Sequence, residues 1–304
     1  MTARPEGAAV WVAAARPKTL PAAVAPVLMG TALAWRDGGL HVGMAAVALT
    51  GALLLQLGTN FANDYHDFVK GADTEERLGP PRATQQGWVK PGTMRAATTI
   101  TFALAVVVGV VLYLRAGWPI AAIGATGIAC GLLYTGGPRP FGYLGLGDIL
   151  VLVFFGPVAV AGTHFVQTLE WSATATVAGA APGLLATALL AINNLRDAET
   201  DAKAGKRTLA VRFGRGFAKA EVAAGVAVAA LIPVGLWLAG ALPSTGMLAT
   251  AAAVALGTPA VVAVGRARPG DRLLGPLATL GRTLLVYGIA FAVGLWLSPR
   301  PLLQ

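Results

Sequence analysis

The stretch that decides the fold is "VALTGALLLQLGTNFANDYHDFVKGAD", residues 47–73, where a strongly apolar run leads directly into acidic and amide side chains. Burying carboxylates such as Asp64, Asp67 and Asp73 beside an apolar helix costs several kcal/mol unless they are paired or have a function. These residues therefore need a cationic partner or a ligand.

The composition indicates a membrane protein. Of the 304 residues, 56% are hydrophobic and 12% charged, and the mean hydropathy is +0.67. Soluble domains carry about 25% charged residues, so an ordinary soluble domain is excluded. Hydropathy windows predict about nine transmembrane helices near 19–36, 41–62, 95–115, 118–135, 148–168, 173–195, 217–239, 246–264 and 276–297. We expect an all-α, polytopic membrane helix bundle that forms a single domain over residues 1–304, since no long polar linker interrupts it.

The basic residues predict how the chain is oriented. Of the 23 lysines and arginines, all but Arg36, Arg115 and Arg300 fall on one side of the predicted membrane. The positive-inside rule makes that side cytoplasmic. We therefore expect a multi-pass protein of the cytoplasmic membrane, with the amino terminus and the two long polar loops inside and the carboxyl terminus outside. Because the positive charge lies in loops that face lipid, no nucleic acid is expected, nor an obligate protein partner.

Two acidic motifs, each at the end of an apolar run, share the same spacing. Asn60 precedes Asp64 by four residues; Asn193 precedes Asp197 by four, and Asp201 follows four later. On an α-helix this spacing places the side chains in a row on one face. An even number of span ends separates the motifs, so both should reach the same membrane face. Stacked carboxylates repel each other unless a cation lies between them, which favours a divalent metal such as Mg²⁺.

Basic residues near both motifs indicate a phosphate ligand. A metal alone does not require them, whereas a metal-bound phosphate needs further neutralisation. These residues are Lys70, Arg77, Arg82, Lys206 and Arg207. Solvated charges that merely cap helices remain the alternative for either motif alone, and we expect Glu75, Glu76 and Glu199 to be such charges.

Four segments carry a family resemblance. They are "ARPKTLPAAVAPV" (15–27), "NFANDYHDFVKGADTEERLGPPRATQQG" (60–87), "LYTGGPRPFGYLGLGD" (133–148) and "NNLRDAETDAKAGKRTLAVRFG" (193–214). In this order they resemble the UbiA superfamily of intramembrane aromatic prenyltransferases. The six-residue step from Asp67 to Asp73 is most similar to the branch that prenylates 1,4-dihydroxy-2-naphthoate in menaquinone synthesis.

The resemblance implies a nine-helix bundle around a central cavity, beneath a cytoplasmic cap made from the two acidic loops. It also implies two Mg²⁺ ions that hold an isoprenyl diphosphate. The metal-binding residues would be Asp64, Asp67, Asp197, Asp201, Asn60, Asn63, Asn193 and Asp73. The diphosphate-binding residues would be Asn60, Lys70, Arg82, Arg139 and Lys206. The residues expected to act in catalysis are Asp64, Asp67, Asp197, Asp201, Lys70 and Tyr134.

The expected reaction is transfer of a polyprenyl group to an aromatic acceptor in the bilayer, with loss of CO₂ and diphosphate. Tyr65, Tyr134, Phe154 and Phe155 are aromatic residues that either stabilise an allylic cation or simply pack. A direct role for His66 is open, whereas His41 and His164 are placed outside the site. The alternative acceptors are 4-hydroxybenzoate and homogentisate.

Two other classes of protein remain as alternatives. A cation-coupled transporter also uses intramembrane Asp and Asn, but usually near the bilayer midplane on broken helices. A lipid phosphotransferase with a D-x-x-D-G motif fits less well, because Phe68 rather than glycine follows Asp67.

Overall fold

A computed structural model describes residues 5–73 and 78–299, and within these ranges every regular element is helical. The expectations for Glu75, Glu76 and Arg77, like the terminal Arg300, lie outside the described residues. The α-helices are α1 (Ala8–Ala15), α2 (Pro21–Arg36), α3 (Val42–Val69), α4 (Pro91–Ala116), α5 (Trp118–Leu133), α6 (Gly147–Val153), α7 (Ala159–Thr168), α8 (Ala173–Lys203), α9 (Leu209–Leu238), α10 (Leu248–Ala252), α11 (Thr258–Gly265) and α12 (Leu274–Trp296). Short π-helical segments join α6 to α7 (Phe154–Val158) and α10 to α11 (Ala253–Gly257).

The predicted all-α membrane bundle is confirmed. Each predicted span coincides with one helix or with one jointed pair of helices. Within the described ranges, 7 helical segments are long and apolar enough to cross a membrane. The remaining two, α2 and α5, have 16 residues each, slightly short of the roughly 17–25 residues of a full crossing.

Three predicted boundaries were wrong, and the error matters for the site. Helix α3 continues to Val69 rather than ending near 62, α8 continues to Lys203 rather than 195, and α9 begins at Leu209 rather than 217. A hydropathy window detects apolar composition, not helical backbone, so it ends each helix where charge begins. Both acidic motifs therefore lie on the last turns of long helices rather than in loops.

Helix α8 forms the centre of the bundle. It packs against α2, α6, α7, α9 and α12. Within the described part of the chain, 67% of the residues in its most apolar 18-residue stretch are buried. Leu185 and Ile192 of α8 share one core with Leu284 and Phe291 of α12, all of them fully buried. This helix therefore holds the second acidic motif on a rigid element.

The joint between α6 and α7 lets the backbones of two helices touch. At Gly156 the backbone leaves helical geometry, with φ −115° and ψ −114°, and Pro157 follows. A Cβ atom on Gly156 would lie 2.8 Å from the carbonyl oxygen of Gly179 and 3.0 Å from Cα of Gly183, both on α8. Only glycine permits this approach, which fixes the bend in the segment that carries Phe154.

A second apolar cluster lies under the amino-terminal helix. Its buried members are Val10, Ala14, Phe61, Ala83, Val89 and Met94. They join α1 to the end of α3 and to the cap loop, which we define as residues 78–90. The ring of Trp11 meets that of Phe61 edge-on, with centroids 5.8 Å apart. Trp11 therefore lies on a short helix that packs on the end of α3.

Candidate active site

Two adjoining cavities meet near the end of the bundle that carries the acidic motifs, and the second extends along the helices away from that end. One is polar, with a volume of about 410 Å³, and the other is apolar, with a volume of about 360 Å³. Six residues line both cavities, and we name them the throat: Thr19, Asn63, Tyr134, Leu189, Leu190 and Asn193. A charged group can therefore lie in one chamber while an apolar chain attached to it extends into the other.

The first motif is divided between two adjacent rows of α3. Asn63 and Asp67 line the polar cavity and stand four residues apart, whereas neither Asn60 nor Asp64 lines it. Both pairs satisfy the same helical spacing. The expected row of Asn60 and Asp64 is therefore not the one that faces the polar chamber.

Asp64 holds the cap loop instead. Its Oδ2 accepts the backbone N–H of Ala83 at 3.0 Å and its Oδ1 accepts that of Thr84 at 2.9 Å. The residue is 1% exposed. Because Arg82 immediately precedes these two residues, the Asp64 carboxylate sets the position of that guanidinium.

Asn60 holds the amino-terminal segment in the same way. Its Nδ2 donates to the carbonyl oxygen of Ala15 at 2.9 Å and to Oγ1 of Thr19 at 3.1 Å. Asn60 lines the apolar cavity, so it contributes to the site without reaching the polar chamber. Its role is to fix the corner between α1 and α2.

The second motif is arranged as its spacing predicts. Asn193, Asp197 and Asp201 all line the polar cavity, on successive turns of α8. Arg196, which the sequence analysis did not select, is buried and donates through Nε and Nη2 to the two oxygens of Asp197 at 2.7 and 2.6 Å. This two-point contact fixes the orientation of the Asp197 carboxylate.

Asp67 lies where the elements of the site meet. Lys206 Nζ lies 3.1 Å from its Oδ1 and 3.9 Å from Oδ1 of Asp201, so one ammonium joins both motifs. Arg82 lies 3.5 Å from Oδ2 of Asp67 and 3.5 Å from Oδ2 of Asp73. Asp73 thus pairs with Arg82 and does not line the polar cavity.

Tyr143, which was not predicted, lies between these groups. Its hydroxyl donates to Oδ1 of Asp67 at 3.4 Å, and the ammonium groups of Lys70 and Lys206 each lie 5.1 Å from its ring centroid. Burial raises the pKa of the Tyr143 phenol, and the negative charge of Asp67 raises it further. The phenol therefore stays protonated and remains a hydrogen-bond donor. Its only signal in the sequence is an aromatic residue within the glycine-rich segment 133–148.

The sequence matches a known protein family over most of its length. The sequence profile of the UbiA prenyltransferase family matches residues 23–273. The chain belongs to the UbiA prenyltransferase family. It is 40% identical over 288 residues to a 1,4-dihydroxy-2-naphthoate octaprenyltransferase of Mycobacterium tuberculosis, covering 93% of this chain and 96% of the relative. It is 44% identical over 210 residues to the Escherichia coli protein of the same name, covering 67% and 68%.

A solved UbiA structure has the same fold. A UbiA homologue from Archaeoglobus fulgidus, bound to GPP and Mg²⁺, superposes with a TM-score of 0.64 at 14% identity. The match covers 93% of this chain and 99% of that one. At this identity the likeness concerns the helical architecture alone.

Of the other predicted residues, some line the two cavities and some do not. Tyr134 belongs to the throat. Lys70 is exposed and donates to the carbonyl oxygen of Gly137 at 2.9 Å. Partial desolvation of its ammonium group by the neighbouring residues still lowers the pKa of Lys70; Asp67 opposes this shift, and the like charge of Lys206 adds to it. Arg139 is exposed and lines neither cavity.

The aromatic and histidine candidates also divide into residues that line a cavity and residues that do not. Phe154 and Phe155 line the apolar cavity, whereas Tyr65 packs against the cluster under α1. Neither His66 nor His164 lines either cavity. His164 is buried and its Nε2 lies 2.8 Å from Oδ2 of Asp37.

The donor chemistry of the polar cavity fits a hard divalent metal. Asn63, Asp67, Asp197 and Asp201 present carboxylate and amide oxygens, which Mg²⁺ prefers. Within the described residues, no three acidic, histidine or cysteine side chains form a metal cluster by themselves. Cations line the same chamber: Arg16, Lys18, Arg82, Arg196 and Lys206. Such a chamber suits a metal that arrives with a polyanionic ligand, because the ligand supplies further oxygens and interacts with the cations.

Proposed function

We propose that this UbiA-family protein transfers a polyprenyl group from an isoprenyl diphosphate to 1,4-dihydroxy-2-naphthoate. The products are demethylmenaquinol, CO₂ and diphosphate, which makes it an enzyme of menaquinone biosynthesis. The observation that carries the proposal is the joining of a polar, cationic cavity to an apolar one at the throat. The names of the relatives at 40% and 44% identity support this choice of acceptor.

The diphosphate head of the donor binds in the polar cavity. Arg82 and Lys206 face it directly, and Lys70 lies next to Tyr143 at its edge. The residues that would hold two Mg²⁺ ions are Asn63, Asp67, Asn193, Asp197 and Asp201. Bound there, the ions would act as Lewis acids that stabilise the charge on the departing diphosphate. Asp64, Asn60 and Asp73 act indirectly, through the hydrogen bonds and the ion pair described above.

The transfer takes place at the throat. The bond between the allylic carbon and the diphosphate oxygen breaks, and the electron pair leaves with diphosphate, whose charge Arg82 and Lys206 neutralise. Phe154 and Phe155 line the apolar chamber and help to keep water from the cation, and Tyr134 presents an aromatic ring beside it. The ring carbon that bears the carboxylate attacks the allylic carbon. Its bond to the carboxylate then breaks, CO₂ leaves, and the released electron pair restores the aromatic ring.

The location of the acidic residues disfavours a transporter. They lie on the last turns of α3 and α8 rather than at broken helices near the bilayer midplane. A UbiA-type enzyme acting on 4-hydroxybenzoate or homogentisate is the second candidate, because the same two cavities would accept the same donor.

We place the protein in the cytoplasmic membrane as one UbiA-type domain over residues 1–304. The active site and the amino terminus face the cytoplasm and the carboxyl terminus faces outside. The uneven distribution of the 23 basic residues supports this orientation.

The test is an acceptor screen with the purified protein, radiolabelled prenyl diphosphate and Mg²⁺, with products identified by mass spectrometry. We expect prenylation of dihydroxynaphthoate, and neither of hydroxybenzoate nor of homogentisate. Asp197→Ala should abolish diphosphate release, whereas the control Glu199→Ala, at an exposed position on the same helix, should retain it. Prenylation of hydroxybenzoate alone would contradict the proposed acceptor. Failure to turn over any prenyl diphosphate would contradict the proposal that the protein is a prenyltransferase.

A further inference from the structure

One buried polar atom beside the throat end of the apolar cavity has no hydrogen-bond partner within residues 5–73 and 78–299. Gln56 lines that cavity and is 8% exposed. Its Oε1 is buried and accepts no hydrogen bond from any described residue. A buried carbonyl oxygen without a donor is costly, so such an atom is a candidate binding point for a ligand.

The surrounding hydrogen bonds determine which end of the Gln56 amide is free. The Ala15 carbonyl can only accept, so the group of Asn60 that lies 2.9 Å from it is the Nδ2 donor. Oδ1 of Asn60 is therefore the acceptor that faces Gln56, and it takes Nε2 of Gln56 at 3.4 Å. The same Nε2 lies 3.2 Å from Oγ1 of Thr19, whose hydroxyl donates to the Arg16 carbonyl. An amide flip would place two acceptors against each other, so Oε1 is fixed as the end without a donor.

The position and chemistry of this oxygen suit the aromatic acceptor rather than the prenyl chain. Gln56 contacts Thr19, a throat residue, and it precedes Asn63, another throat residue, by two turns of α3. The lining around it is largely apolar, and the prenyl chain has no hydrogen-bond donor to offer. The aromatic acceptor is the reactant that carries hydroxyl groups into this chamber.

We propose that Gln56 recognises the aromatic acceptor by accepting a hydrogen bond from a ring hydroxyl at its Oε1. This inference rests on the proposed function and adds to it a residue that selects hydroxylated rings. A site built to pair with a hydroxyl rejects the analogue that lacks it, because the protein oxygen is then left buried and unpaired. The ring is thereby positioned beside the throat, where the allylic carbon lies.

The experiment measures binding rather than transfer. Full-length protein in lipid nanodiscs, with Mg²⁺ and inorganic diphosphate, is titrated calorimetrically with 1,4-dihydroxy-2-naphthoate, its two monohydroxy analogues and 2-naphthoate. In the wild type, removal of one of the two hydroxyls should weaken binding about tenfold. In Gln56→Met that difference should fall to about twofold or less. The control Gln167→Met replaces another buried glutamine, whose Oε1 is satisfied by the His41 N–H, and should retain the full difference.

The result can overturn the inference in two ways. If Gln56→Met discriminates between the analogues as the wild type does, Gln56 does not recognise the hydroxyl. If the wild type binds all four naphthoates within about twofold of one another, no residue of the protein recognises the hydroxyls. This outcome rests on the wild type alone, so it overturns the inference even if the variant fails to fold. Since no prenyl donor is present, a failure of transfer in the acceptor screen would be a separate result.

Discussion

Lys206 Nζ lies 3.1 Å from Oδ1 of Asp67, so an ion pair joins the segment after α8 to the end of α3. The same ammonium approaches the Asp201 carboxylate on α8 at 3.9 Å. An arriving diphosphate competes with these carboxylates for Lys206, and a metal competes with Lys206 for the carboxylates. The ion pair therefore holds the two motifs together before the substrate binds.

Removing the Lys206 ammonium should weaken donor binding specifically. We expect Lys206→Met to raise KM for the prenyl diphosphate about 10- to 100-fold, because one charge-assisted contact to phosphate is lost. The control is Lys219→Met, whose ammonium donates to the carbonyls of Gly265 and Ala267, outside both cavities. Equal KM values in the two variants would exclude Lys206 from the donor site.

Asp64 and Asp67 should fail in different ways when replaced. Asp64→Ala leaves the N–H groups of Ala83 and Thr84 buried without an acceptor, at a cost of about 2–4 kcal/mol. We expect a lower melting temperature and faster proteolysis within the cap loop. Asp67→Ala should instead abolish binding of Mg²⁺ and diphosphate, measured by calorimetry, with a smaller change in melting temperature. If the two variants lost stability and ligand binding alike, the two rows of α3 would not differ in function.

Tyr143 should make the stability of the protein depend on pH in the alkaline range. Burial and Asp67 raise its pKa above the ordinary value of 10.0, so the unfolded chain loses this proton first. Its contribution to stability is therefore complete below about pH 10 and declines as the pH rises further. We expect the melting temperature of the wild type, relative to that of Tyr143→Phe, to fall between pH 9 and pH 11. A constant difference across that range would contradict the raised pKa.

The contact between α6–α7 and α8 should not tolerate a single methyl group. A Cβ on Gly183 would clash with the Leu152 carbonyl oxygen and lie 3.0 Å from Cα of Gly156. Because backbone atoms cannot move aside, we expect Gly183→Ala to lower stability by about 1–3 kcal/mol. In thermal unfolding the control Gly235→Ala, with nothing within 4 Å of its Cβ position, should be neutral or slightly stabilising. Similar melting temperatures for the two variants would contradict the close packing.

Cys130 offers a direct probe of where the prenyl chain lies. It is the single cysteine of the sequence, and it lines the apolar cavity. A long prenyl diphosphate with Mg²⁺ should slow its alkylation by a maleimide, since the chain covers the thiol. Inorganic diphosphate with Mg²⁺ fills only the polar chamber and should leave the rate unchanged, while Cys130→Ser reports background labelling. Protection by inorganic diphosphate alone would place the effect outside the apolar cavity.

The apolar spans, the location of both motifs on one face and the row of Asn193, Asp197 and Asp201 were predictable, because composition and local helical geometry determine them. Which of the two rows of α3 faces the polar cavity was not predictable. The pairs Asn60/Asp64 and Asn63/Asp67 have identical spacing, and only distant partners decide which pair faces the chamber. Those partners are the amino-terminal corner and the cap loop, whose positions depend on tertiary packing.

Tyr143 and Gln56 were missed for a related reason. Tyr143 is recognisable only once Asp67, Lys70 and Lys206 are seen around it. Gln56 reads in the sequence as one polar residue within an apolar span. Its significance comes from a chain of hydrogen bonds that begins at a backbone carbonyl in another segment.

All residues of the throat precede the last helices in the chain. Its six residues lie between Thr19 and Asn193, and none comes from α9 to α12. The passage between the two chambers is therefore fully encoded once α8 has entered the bilayer, while about a third of the polypeptide is still to be made. Helices α9 to α12 support the throat from outside and are made after it. Destabilising substitutions confined to them should therefore reduce the yield of folded protein more than its selectivity for substrates.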